Sequence, residues 1–297
     1  MTNLAASQMN KGLARFRPAL ENVNAENAAA LFASSTLTAV YFFRTSTVEI
    51  DELCASVPSG TIVPSPDIVD KMYNCVLRVI WGLRGPLAVL IPGWNHILGG
   101  ELQHIANRDW WPPDQLPATE RAEEEDQCLA SIANLWEGPH YAYPANVEPL
   151  STALLFLRQA FGLISQLTLE SNEYPSTTSI SYSVDDVTVG NLKDRGAIFF
   201  WATRISRDFI TLLETKNREA LIILAHYAIL PGRSRNAWWL EGLGANMVTA
   251  VAMALRQENW DLIRWPMQVV GVDMENAFSA RADKIEGKPG EVPMEII

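Results

Sequence analysis

The stretch from Leu221 to Leu230, LIILAHYAIL, is apolar on every side of the helix that its residues favour. Such a run is too short to cross a bilayer, which takes roughly 18 to 20 apolar residues, so it reads as a helix buried among other helices. The surrounding segment, REALIILAHYAILPGRSRNAWWLEGLGANM (218–247), reads as one helix, a break and a second helix. A chain built around this segment needs further amphipathic helices to cover it.

The rest of the sequence supplies them. ENAAALFASSTLTAVYFF (26–43) follows Asn24, a residue suited to an N-cap, and is apolar on nearly every face. Its serines and threonines are expected to weaken its far end. A Pro/Gly/Ser-rich loop, SVPSGTIVPSPD (56–67), leads into the periodic IVDKMYNCVLRVIWGLRGPLAVLI, which Gly85-Pro86 should interrupt. A Pro-rich turn in RDWWPPDQLP precedes an acidic amphipathic helix with Leu129, Ile132, Ala133, Leu135 and Trp136 on its apolar side. The run from Glu123 to Asp126 reads as its solvated first turn, favoured by the helix dipole. VEPLSTALLFLRQAFGLISQL (147–167) is a further helix with Ser151 as its expected cap.

Residues 171–191 are rich in Ser, Thr and Tyr and read as a long loop with short extended pieces. Two short helices follow, in DRGAIFFWAT and SRDFITLLETK, the second capped by Ser206. Trp265-Pro266 is expected to end the last helix, because proline disfavours helical geometry in the residue before it. No internal repeat and no alternation of strands and helices is visible, so the fold class is all-α. The expectation is a single multi-helix domain around an apolar core or pocket over residues 1–283, with a frayed C-terminal tail over 284–297.

Charge narrows the function. Thirty-four acidic against 23 basic residues give a formal charge of -11, which repels phosphate backbones, so direct nucleic-acid binding by this chain is not expected. Cys54, Cys75 and Cys128 are too few and too scattered for a disulfide framework or a zinc site, and they read as thiols in a reducing compartment. With no membrane span expected, the location that follows is intracellular, cytoplasmic or nuclear.

Catalytic signatures are missing. His226 lies in an apolar segment, where a lone histidine is more often a hydrogen-bonded core residue than a base. His96, His104 and His140 show no paired ligand spacing, and no GxSxG, GxxxxGK[ST] or GxGxxG motif occurs. Two acidic groups remain as metal candidates. Asp185 and Asp186 are adjacent carboxylates that could hold Mg²⁺ against a diphosphate, although a loop turn explains them as well. Glu275, Ser279 and Asp283 fall at i, i+4 and i+8, on one face of a helix. That spacing resembles the second metal motif of class I terpene cyclases with Glu and Asp exchanged, while a plain surface helix is the simpler account. Arg233 and Arg235 could bind a diphosphate or cap the carbonyls of the preceding helix.

The segments REALIILAHYAIL, WWLEGLG and LIRWPMQVVGV, with GLARFRPAL, NAAALFASSTLTAVYFF and LRGPLAVLIPGW, resemble the C-terminal regulatory domain of fungal binuclear zinc-cluster transcription factors. Within that family the sterol uptake control regulators are the nearest group. The match runs in order from about Gly12 to Gly271, and the combination of LAHYA, WWLEG and RWPM carries it. The resemblance implies an all-α ligand-binding domain, often a homodimer, whose hydrophobic pocket senses a sterol. This chain departs from the family in having no six-cysteine zinc cluster, and LGANMV replaces the usual tryptophan and basic residues after WWLEG.

Trp238, Trp239, Leu243, Met247 and Val251 fall at helical spacing and form a broad apolar wall, which His226 and Trp265 are expected to complete as the lining of a ligand site. Two readings follow. The first is the ligand-sensing regulatory domain of a sterol-responsive transcription factor, binding a sterol or terpenoid and needing no cofactor. The second is a stand-alone enzyme of fungal secondary metabolism on the same fold, an atypical sesquiterpene cyclase. It would use Mg²⁺ at Asp185, Asp186, Glu275, Ser279 and Asp283, with Arg233 and Arg235 on the diphosphate.

Overall fold

The computed structural model describes residues 2–58, 61, 64–103, 107, 110–169, 191–234 and 237–274, and the architecture is all-α. Helices α1 (Thr2–Leu20), α2 (Ala28–Ala55), α3 (Pro66–Arg84) and α4 (Leu87–Leu98) make the N-terminal layer. Then come α5 (Glu120–Ser131), α6 (Val147–Leu167), α7 (Phe200–Arg204) and α8 (Arg207–Glu214). The last of the described elements are α9 (Arg218–Tyr227), α10 (Ile229–Arg233), α11 (Leu243–Leu255) and α12 (Arg264–Val270). A two-residue antiparallel ladder pairs Thr168 with Leu192 and Leu169 with Asn191.

The two most apolar helices are the centre. Residues 219–227 of α9 are all buried, and so is α11 apart from Ala254. Around them α3 lays down a stripe of Val69, Met72, Tyr73, Val76, Val79, Ile80 and Leu83, at the three- and four-residue spacing of one helix face. It packs on both α2 and α11. A smaller cluster of Ala28, Leu31, Val89 and Ile97 joins α2 to α4 and takes in Phe16 and Leu20 of α1.

The expected interruption at Gly85-Pro86 is present between α3 and α4, and Ser206 caps α8 by accepting from the Phe209 N–H at 3.1 Å. Other local expectations need correction. Helix α2 does not weaken at its far end but runs on to Ala55, because its far half buries Phe43, Ile50 and Cys54 and packs along α3; Thr36, Thr45 and Thr47 turn their hydroxyls back to the carbonyl four residues earlier and so leave none of these hydroxyls unpaired. Its N-cap position is Asn27, while Asn24 forms the turn before it by accepting from the Glu26 and Asn27 N–H groups. Ser151 lies inside α6, whose first residue is Val147, and its hydroxyl accepts from the Trp136 indole at 2.9 Å. The acidic run of α5 is only half solvated: Glu125 and Asp126 turn inward to Arg233 and Arg158. Pro266 occupies the first turn of α12, where its missing N–H costs nothing, so it begins that helix and does not end one.

By length and hydropathy alone, Pro66–Leu98 and Pro144–Leu167 would pass as membrane spans, contrary to the sequence expectation. Their buried faces here pack on neighbouring helices, which is where a core helix also puts apolar residues.

Candidate functional site

An apolar pocket of about 470 Å³ opens between the N-terminal layer and the segment 194–204. That volume lies within the roughly 300–1,000 Å³ common for small-molecule sites. Helix α2 contributes Phe32, Thr36 and Val40, and the α3–α4 junction contributes Leu83, Pro86, Leu87 and Leu90. Opposite them stand Phe199, Phe200 and Thr203, with Trp111 and Trp239 at the sides.

Each wall is held by a specific contact. Residues 112–118 lie along α6 as a strap: Gln166 donates to the carbonyls of Asp114 and Leu116 at 2.9 and 2.7 Å, and Ser165 accepts from the Ala118 N–H at 3.0 Å. The strap presents Trp111, whose indole N–H donates to Asp194 Oδ2 at 2.7 Å and whose ring lies 6.2 Å from Phe200. The other oxygen of Asp194 accepts from the Gly196 N–H at 2.8 Å and so caps the 3-10 turn (Arg195–Phe199) that carries Phe199. Trp239 stacks on Phe43 at 5.6 Å, with 29° between the rings, and lies 6.0 Å from Phe199. Such aromatic packing is worth about 0.5–1.5 kcal/mol per pair beyond buried area.

The expected wall from Trp238 to Val251 does not exist as one surface. Trp238 to Leu240 form a separate 3-10 turn, and Gly242, at φ 75°, breaks the helical register before α11 starts. Trp238 is 62% exposed, Trp239 lines the pocket, and Leu243, Met247 and Val251 are core residues of α11 outside its lining. His226 and Trp265 share another cavity, of about 380 Å³, with Ile222, Ile132 and Leu262. Their rings are 5.6 Å apart. His226 Nδ1 lies 2.8 Å from the Ile222 carbonyl oxygen, a contact that places the ring proton on Nδ1. Burial pushes its pKa down to about 4, against a smaller opposing effect of that hydrogen bond, so the ring is neutral at physiological pH.

Arg233 holds Glu125 with both terminal nitrogens, at 2.7 and 2.9 Å, between the rings of Phe161 and Trp265. Its fork is already filled by a carboxylate, the partner such geometry fits best. Asp185, Asp186, Arg235, Glu275, Ser279 and Asp283 lie outside the described residues, as does the tail from 284. Among the described residues no three His, Cys, Asp or Glu side chains gather as they would around a metal ion.

Sequence reasoning found one residue of the apolar pocket, Trp239, and missed the rest. The available signal was aromatic density at Trp110-Trp111 and Phe199-Phe200-Trp201, in segments whose local pattern is too short to show which face turns inward.

Over 160 residues the chain is 24% identical to a Zn(2)-C6 fungal-type transcription factor from Gibberella zeae, an alignment covering 48% of this chain and 32% of that protein. The chain thus spans about a third of the length of the curated relative it matches. No family model matches it, and no solved structure does. The likeness agrees with the fungal transcription-factor part of the resemblance carried by LAHYA, WWLEG and RWPM and does not separate out the sterol-responsive subgroup.

Proposed function

We propose that this chain is the ligand-sensing part of a fungal transcription regulator and that a sterol-like hydrophobic molecule occupies the pocket beside Trp239. The observation that carries the reading is the pocket itself: a 470 Å³ space, walled by apolar and aromatic side chains from five separate segments. Burying an apolar molecule there removes its surface and that of the walls from water, at roughly 25 cal/mol per Å². Because one wall is α2 and the α3–α4 junction while the other is 194–204 with Trp111 and Trp239, an occupant bridges both sides. It then favours whichever arrangement of the helices holds the walls at the right separation, which is how a ligand biases a two-state element. The partner that reads this state is another part of the regulator or a second copy of the chain, in the nucleus or cytoplasm, and this chain needs neither a cofactor nor a DNA contact for it.

The test is mass spectrometry of the organic extract from purified protein after incubation with ergosterol, with wild type beside Val40→Trp. Val40 is a partly buried lining residue, so the larger ring fills the space without entering the core. Stoichiometric retention by wild type, reduced at least tenfold in the variant, supports the reading. Equal retention by both would move the ligand elsewhere. A parallel incubation with farnesyl diphosphate and Mg²⁺ that produced a terpene hydrocarbon would replace the sensor with the cyclase.

A further inference from the structure

The mouth of the pocket is charged unlike its interior. Three ionisable side chains line it, Asp194, Arg195 and Arg204, which leaves a net positive rim on a chain of charge -11. Asp194 is already engaged through both oxygens by the Trp111 indole and the Gly196 N–H. The two arginines are not. Among the described residues neither has a carboxylate within ion-pair distance, although Arg78, Arg121, Arg158, Arg207, Arg218, Arg233 and Arg264 all do.

Helix capping does not account for Arg204. Arg84 donates to the carbonyls of Ala202 and Ile205, at 2.7 and 2.8 Å, and so satisfies the C-terminal end of α7 from outside. Arg204 instead lies with its guanidinium carbon 4.8 Å from the Phe200 ring centre and 5.8 Å from that of Phe156. Ring faces restrict where the group can swing while leaving its N–H donors in the plane of the fork. In a protein with more carboxylates than cations, an arginine held this way by ring faces and facing no carboxylate is a ready receptor for an outside anion.

On the basis of the pocket reading above, we infer that its occupant is an amphipathic anion, an apolar body inside the pocket with a carboxylate or phosphate monoester at the rim, held by Arg204 and Arg195.

Equilibrium dialysis of the purified chain against hexadecanoate, hexadecyl phosphate and hexadecanol, each below its aggregation limit and quantified by mass spectrometry, tests this. These probes share one apolar body and differ at the head. At low salt at least one anion should bind wild type about tenfold more tightly than the alcohol, and 0.5 M NaCl should shrink that advantage. Which anion gains more tells carboxylate from phosphate. The double variant R195Q/R204Q, changed at two exposed positions, should lose the advantage and keep its affinity for hexadecanol. Equal binding of all three probes to wild type, or an advantage that survives in R195Q/R204Q, overturns the inference. Hexadecanol binding that Val40→Trp abolishes, without any gain for the anions, would sink the charged-head assignment and leave the apolar pocket standing. If none of the three probes nor ergosterol binds, both fall together.

Discussion

Burial alone keeps His226 neutral, and that makes it a source of acid sensitivity. Its folded-state pKa is about 4 against 6.5 for the free side chain, so between those values the unfolded chain takes up a proton that the folded one refuses. The sign follows: stability from this group is complete above pH 6.5 and falls as pH drops towards 4. Over that range the loss is on the order of 3 kcal/mol. His226→Leu removes the titration and the ring's contact with the Ile222 carbonyl, and leaves the helix's own backbone N–H donors in place. In urea unfolding of both proteins from pH 7 to pH 4.5, wild type should lose stability faster, so that the difference shifts in favour of the variant as pH falls. Parallel pH curves would show that the ring is protonated inside the fold. The same residue shows what sequence can say at this scale. The apolar neighbours of His226 already imply a core histidine, and the structure supplies only its partner, the carbonyl of Ile222.

At the scale of elements, the crossing of α10 and α11 leaves no room for a side chain. A Cβ on Gly244 would lie 2.5 Å from the Gly232 Cα and 2.6 Å from the Ala228 carbonyl oxygen, both backbone atoms that cannot step aside alone. Gly244→Ala should therefore push the helices apart and cost roughly 1–3 kcal/mol, read as a lowered urea midpoint. Gly12→Ala is the control: no atom lies within 4 Å of its would-be Cβ, in a helix where alanine is the better former, so its midpoint should hold or rise. A destabilised Gly12→Ala with an unchanged Gly244→Ala would mean that the crossing is looser than described. Local signals of this kind explain which elements could be read from the chain. The Gly85-Pro86 break and the Ser206 cap depend on neighbours in sequence, and both are where the residues put them. The length of α2, which packs along α3, and the fate of the acidic run, which meets Arg158 and Arg233, depend on remote residues, and there the local pattern misled, while Pro266 was simply assigned to the wrong end of a helix. The tryptophan wall failed for a related reason, since a periodicity drawn through Gly242 assumes a helix that its positive φ interrupts.

For the whole molecule, the decisive property is that the pocket belongs to no single stretch of chain. Its walls come from residues 32–40, 83–90, 111, 194–204 and 239, separated by most of the sequence and brought together only when the core of α3, α9 and α11 has formed. No local pattern could reveal it. A ligand seated there touches only the folded state, so it must stabilise the whole domain and not one segment. At one hundred times its Kd the added stability is about 2.7 kcal/mol, and in a chain of this size that raises Tm by about 4 °C. Calorimetry with the ligand identified by dialysis should show one cooperative transition moving upward as a unit, and the same ligand should leave the Tm of Val40→Trp unchanged. A shift confined to part of a split transition would mean that the two pocket walls belong to units that unfold separately. In that case occupancy of the pocket could not be transmitted to the rest of the domain, and the sensor would have to act at its own surface.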